Sequence, residues 1–141
     1  MIKLTDQMRE LIDPALAKGT PCLIATVSED GTPNVGYKGS MMVFDDESLA
    51  YWERTRQGTL SNLEKNPRVM VLFRDPATRA AWRFVGQATI HKDGSLREQV
   101  MARTVQAELD RDPERKGAAV IIKVDKVLGV TGQTPMQSRD S

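Results

Sequence analysis

The chain of 141 residues is long enough for one domain with its own apolar core. Its 20 basic and 19 acidic side chains leave a formal charge of +1, which argues against nucleic acid or an anionic membrane as a partner, since both call for a basic surface. One cysteine, Cys22, excludes an internal disulfide, and one histidine, His91, excludes a histidine metal cluster or a Ser-His-Asp triad. Cys22 sits in an apolar run and reads as a buried small hydrophobe. The first residues lack the apolar core of a signal peptide, and no apolar run is long enough to span a bilayer, so the expected compartment is the cytoplasm.

Met8, Leu11, Ile12, Ala15 and Leu16 follow helical spacing, with Asp13-Pro14 restarting the helix and Gly19 ending it. Residues 1–19 are therefore expected to form an N-terminal helical segment. Residues 22–28 read as a strand, and Glu29-Asp30-Gly31-Thr32 as a hairpin turn. The return strand is expected over 34–44. Its alternation puts Val35, Tyr37, Gly39, Met41 and Val43 on one face, and Asn34, Gly36, Lys38, Ser40 and Met42 on the other. Glycines weaken a strand unless something must approach its backbone closely. A polar strip with a lysine beside such glycines suits a flat, phosphorylated ligand, and it equally suits an outward, wetted face.

Asp45-Asp46-Glu47 forms a turn of solvated carboxylates, followed by the strand Leu49-Ala50-Tyr51-Trp52. The polar turn Glu53-Arg54-Thr55-Arg56-Gln57-Gly58 leads into a short helix over 59–64, stopped at Asn66-Pro67. Open N–H groups at a helix start, with a hydroxyl and cations nearby, can make a phosphate site; an ordinary solvated loop is the other reading. Residues 68–73 form a strand that is apolar on both faces. The next strand, 81–91, sets Trp82, Phe84, Ala88 and Ile90 against Arg83, Val85, Gln87, Thr89 and His91. Ser95-Leu96-Arg97-Glu98 has the form of a capping box and starts a helix to about 109. The last strand is expected over 118–127. Residues 1–130 read as a single domain, and 131–141, which carry no periodic pattern, as a flexible tail.

Six mostly antiparallel strands with three helical segments predict a mainly β fold, a small barrel with peripheral helices. The helices are too few for a doubly wound parallel sheet. Without an acid–base constellation, any chemistry is expected to come from something the chain binds.

Ala25-Thr26-Val27-Ser28-Glu29-Asp30-Gly31-Thr32-Pro33 resembles the first hairpin of the pyridoxamine 5'-phosphate oxidase-like, FMN-binding split barrels. Asn66-Pro67-Arg68-Val69, Val85-Gly86-Gln87-Ala88 and, more loosely, Val124-Asp125-Lys126-Val127-Leu128-Gly129 follow in the family's order and spacing. The resemblance implies a six-stranded antiparallel split β-barrel of Greek-key type, a homodimer, and FMN in clefts between the subunits. Where the oxidases carry an R-x-x-L-L-K strand, this chain has Gly36-Tyr37-Lys38-Gly39-Ser40-Met41; against their S-R-K run it has Gln57-Gly58-Thr59. The implied cofactor contacts are Lys38, Gly39, Ser40, Trp52, Arg54, Thr55, Arg56, Gln57 and Thr59, with Trp82 and Arg83 reaching toward the flavin across the interface. No catalytic side chain and no metal ligand is implied. The oxidases' C-terminal R-x-H-D-R-like segment has no counterpart here. The implied function is that of an FMN-binding flavoprotein, a small flavin-dependent oxidoreductase with a small-molecule redox substrate, and not a true pyridoxamine phosphate oxidase. The alternatives are a non-catalytic flavin carrier or sensor, and a split barrel that binds deazaflavin or haem.

Overall fold

Period-two alternation organises the sheet. β1 (Cys22–Val27) turns Cys22, Ile24 and Thr26 inward, and β5 (Arg68–Arg74) does the same with Val69, Val71 and Phe73. The computed structural model describes residues 1–55 and 58–140. Its other strands are β2 (Pro33–Lys38), β3 (Met42–Asp45), β4 (Ser48–Glu53), β6 (Ala81–His91), β7 (Ala118–Leu128) and β8 (Gln137–Ser138). They form one antiparallel sheet in the order β2-β1-β5-β6-β7-β4-β3, with β8 added on β7. The two ends of that order, β2 and β3, are consecutive in the chain. Residues 39–41 therefore bridge both edges and curl the sheet nearly shut, which makes a mainly β split barrel.

The barrel interior holds Ile24, Val43, Leu49, Tyr51, Phe73, Phe84 and Ile122, all almost fully buried. α1 (Asp6–Ile12) packs on it with Met8 and Ile12, and α2 (Thr59–Lys65) with Leu60 and Leu63. A second core forms outside the barrel, where α3 (Gly94–Arg103) and α4 (Gln106–Leu109) cover Met42, Ala50, Trp52, Ala119 and Ile121 with Val100 and Leu109. β4 is thus buried on both faces. Among the described residues no helix is long and apolar enough to cross a membrane.

The described residues form eight strands where six were expected, for two reasons. The return strand breaks at Gly39-Ser40, because the Ser40 hydroxyl accepts the Trp52 N–H at 2.9 Å and donates to the Trp52 carbonyl at 3.1 Å. The chain there changes partner from β1 to β4. Face assignments carried across the break fail: Val35 and Tyr37 are 64% and 70% exposed, whereas Met41 and Val43 are buried. The second reason is β8, which pairs Gln137 with Val127 and Ser138 with Lys126 in a stretch that carries no periodic pattern.

The helices also differ in detail. α1 ends at Ile12, and residues 13–19 run as turns, because the Asp13 carboxylate accepts the Val43 N–H at 2.8 Å instead of capping a second helix. Ser95 lies inside α3, which begins at Gly94, and its hydroxyl accepts from Gln99. The helix expected to run to 109 breaks at Thr104, whose backbone is extended and whose hydroxyl donates to the Val100 carbonyl at 2.7 Å.

Tyr51 is fully buried, and its hydroxyl has no hydrogen-bond partner among the described residues. Burial, and then the nearby charge of Glu53, holds its ionisation well above the ordinary phenol range. Tyr51→Phe removes an unsatisfied polar atom and should stabilise the fold by about 1 kcal/mol. Denaturant titration checks this; a loss of similar size would mean that the hydroxyl has a partner.

Candidate functional site

The break between β2 and β3 builds a small cleft. Lys38 ends β2, Gly39 and Ser40 make the turn, Trp52 and Glu53 close β4, and Arg54 follows it. Tyr37 and Glu108 complete the lining, around a volume of about 40 Å³. Five of the sequence-derived candidates, Lys38, Gly39, Ser40, Trp52 and Arg54, thus come together.

Their side chains are already engaged. Lys38 Nζ donates to Glu53 Oε1 at 2.9 Å and lies 5.5 Å from the centre of the Tyr51 ring. Arg54 Nε donates to Glu108 Oε2 at 2.9 Å. A Cβ added at Gly39 would lie 2.4 Å from Glu108 Oε1 and 2.9 Å from Leu16 Cδ1. What approaches this glycine so closely is the chain itself. Trp52 is buried, donates from Nε1 to Asp112 Oδ2 at 2.9 Å, and has the Arg97 guanidinium 4.8 Å from its ring. It forms the wall behind the cleft.

The remaining candidates lie elsewhere. Thr55 is exposed. Arg56 and Gln57 lie outside the described residues. Thr59 opens α2 and accepts from Asn34 Nδ2 at 3.4 Å; Asn62 Nδ2 donates to the buried Thr26 hydroxyl at 3.2 Å. This cluster of amides and hydroxyls carries no formal charge. Trp82 is in the barrel core, stacked on Phe73 with ring centres 5.8 Å apart. Arg83 Nε donates to the Gly129 carbonyl at 2.7 Å, and its Nη2 to that of Gly132.

Arg83 nevertheless belongs to a coherent surface. Directly opposed residues of an antiparallel sheet share a face. The pairing therefore lines up Tyr37, Leu23, Leu72 and Arg83 in one outward row, and Val35, Ala25, Met70 and Val85 in the next. This outer face of β2, β1, β5 and β6 is mostly apolar. It meets the polar cleft at Tyr37, which belongs to both. A larger hollow, about 540 Å³, is a different place, lined by Arg9, Phe44, Asp45, Asp46, Glu47, Ser48 and Lys123. Its three carboxylates disfavour a phosphate.

Sequence reasoning missed the acidic side of the cleft. Glu108 was placed on a continuous helix; its only local cue is Thr104-Val105, two β-branched residues in succession. Asp112 had no cue. Its Oδ2 also accepts the Gly117 N–H at 2.8 Å, and its Oδ1 that of Lys116 at 3.0 Å. Burial raises its pKa, but these bonds outweigh that and leave it below the usual carboxylate value. A depressed carboxylate stabilises the fold above its unfolded pKa of 3.8 and loses that contribution as pH falls through the lower folded value. Asp112→Asn should cost about 1–3 kcal/mol at neutral pH and flatten the acid limb of a melting profile. An unchanged limb would place the acid sensitivity elsewhere.

Fold and topology together define a mainly β split-barrel protein. The family model described as pyridoxamine 5'-phosphate oxidase matches residues 4–130, and the chain belongs to that family. It is 28% identical over 132 residues to an uncharacterised protein of Methanocaldococcus jannaschii, covering 92% of this chain and 83% of that one. Among solved structures, HupZ of Group A Streptococcus superposes with a TM-score of 0.77 at 29% identity, covering 95% of this chain and 99% of that one. An FMN-binding protein of Syntrophomonas wolfei shares the fold with a TM-score of 0.69 at 13% identity, covering 91% of this chain and 89% of the other.

Proposed function

We propose that this protein is a cytoplasmic, FMN-binding homodimer that works as a small flavin-dependent oxidoreductase and not as a pyridoxamine phosphate oxidase. The observation that carries the reading is the junction at Tyr37, where a polar cleft holding Lys38 and Arg54 opens beside a mostly apolar sheet face. A flavin mononucleotide needs both: cations for the phosphate and an apolar surface for the planar ring.

The donor set fits the group. Lys38 and Arg54 would hold the phosphate, and the Thr55 and Thr59 hydroxyls, which do not line that cleft, would meet other parts of the cofactor. Trp52, locked by Asp112 and Arg97, keeps the cleft wall rigid. A cleft of about 40 Å³ takes only a phosphate-sized group, while sites for whole cofactors run to about 300–1,000 Å³. The rest of the site must then come from a second copy, and exposed Val35 and Tyr37 supply an apolar surface for it to cover. Bound FMN supplies the two-electron chemistry that the side chains lack.

Calorimetric titration with FMN and light scattering at micromolar concentration test the two halves of the proposal. The expected result is a dimer that binds one FMN per chain, with Lys38→Ala and Thr59→Ala each weakening binding by about 1–3 kcal/mol. Folded protein that binds no FMN ends the cofactor reading, and a monomer that binds FMN ends the shared site. The absorption spectrum of the purified protein separates flavin from deazaflavin and haem. Reduction by a nicotinamide separates an oxidoreductase from a carrier.

A further inference from the structure

We infer that Glu108 is an internal anion closing the phosphate end of the cleft, and that it sets how strongly the protein distinguishes a phosphorylated flavin from an unphosphorylated one; this rests on the flavin reading above. Glu108 stands on α4, a four-residue helix that follows the break at Thr104. Its Oε2 accepts from Arg54 at 2.9 Å, and its Oε1 lies against Gly39, 2.4 Å from the position a Cβ there would take. The Glu108 side chain is 10% exposed. Glu53, 5% exposed, satisfies Lys38 in the same way.

Each cation of the cleft therefore has its own carboxylate, and the four side chains sum to no net charge. A phosphate gains an unopposed cation only if a carboxylate leaves. Glu53 cannot leave easily, since it is a strand residue of β4 paired with Ala118 of β7. Glu108 can, because its short helix is bounded by an extended residue on one side and turns on the other. The segment beyond it is anchored separately, through Asp112 on Trp52 and Gly117. Opening requires α4 to lift away from Arg54 and Gly39, which also draws Leu109 from the edge of the second core and its carbonyl from the Arg115 guanidinium. A ligand without a phosphate has no reason to drive that movement, so wild-type protein should bind FMN and riboflavin with similar affinity.

The test compares FMN and riboflavin, titrated by fluorescence into wild-type protein and Glu108→Gln. Glutamine keeps the size and one acceptor but removes the charge that competes with phosphate. The ratio of riboflavin to FMN dissociation constants should rise about tenfold or more in the variant, the scale of one hydrogen bond to a charged group. Equal ratios in the two proteins, with flavin bound, overturn the role of Glu108 and leave the flavin reading standing. Wild-type protein supplies a second measurement that needs no variant: FMN, but not riboflavin, should lower hydrogen-exchange protection over residues 106–109. Unchanged protection with FMN bound overturns the inference. If neither protein binds any flavin, the flavin reading fails, and inorganic pyrophosphate becomes the probe for Glu108. Pyrophosphate binding at least about tenfold tighter to Glu108→Gln supports the inference, and equal binding overturns it.

Discussion

Gly86→Val is expected to destabilise the protein by about 3 kcal/mol or more, while Gly36→Ala, in another strand of the same sheet, should stay within about 1 kcal/mol of the parent. Gly86 sits where the β6–β7 register shifts: Val85 pairs with Lys126 but Gly86 with Val124, so Asp125 is the extra residue of a bulge. The bulge turns the Lys123 carbonyl toward β6. A Cβ at residue 86 would lie 2.3 Å from that oxygen and 3.0 Å from Ile122 Cγ2. A backbone carbonyl inside a ladder cannot swing aside as a side chain can. The strand pair must separate or the bulge must move, and moving it would displace the outward row that includes Arg83. Nothing lies within 4 Å of a Cβ at Gly36, which is on the edge strand β2. Urea unfolding of both variants decides the matter. Similar midpoints for Gly86→Val and the parent would show that the bulge relaxes freely.

Gly86 and Gly39 show what could be read in the chain. Val85-Gly86-Gln87-Ala88 marked the correct strand, and β6 runs from Ala81 to His91 as the alternation predicts. Period-two patterns report local backbone geometry, so strands such as β5 and β6 were legible. The reason for Gly86 was not, because the atom that excludes a side chain belongs to Lys123, remote in sequence. Gly39 was read as leaving room for a ligand, and the structure fills that room with Glu108 and Leu16. The break at Ser40 was hidden for a similar reason: its cause is a hydroxyl bonded to Trp52 backbone atoms, and a serine in an alternating run gives no sign of it. Of the site, the basic residues Lys38 and Arg54 were found by composition. Their carboxylate partners were not, since pairing across 15 and 54 residues is a tertiary fact.

On the proposed flavin reading, pyridoxamine phosphate is expected to leave FMN bound to this protein oxidised, with reduction at least about 100-fold slower than by a reduced nicotinamide, because the groups that would orient it are occupied. An oxidase of that substrate needs a second anion site to place the reactive carbon over the flavin, and good orientation can supply about 7–11 kcal/mol of a reaction's barrier. The cations available in this chain for such a site are Arg83, Arg103 and Arg139. Arg83 holds the turn after β7 through the Gly129 and Gly132 carbonyls. Arg103 donates to the Phe44 carbonyl at 2.7 Å and the Val43 carbonyl at 2.9 Å, with its guanidinium 5.2 Å from the Phe44 ring. Arg139 bonds Glu47 at 2.9 Å and Asp125 at 3.3 Å, and also the Val124 carbonyl beside the bulge. Each guanidinium serves the scaffold, and releasing one for a substrate phosphate would leave backbone carbonyls or carboxylates without their donor. Hydride transfer from a nicotinamide makes no such demand, since it requires only access to the flavin face. An anaerobic stopped-flow comparison of the two reductants on the FMN-loaded protein measures the difference directly, and rapid bleaching by pyridoxamine phosphate would show that a substrate anion site exists after all.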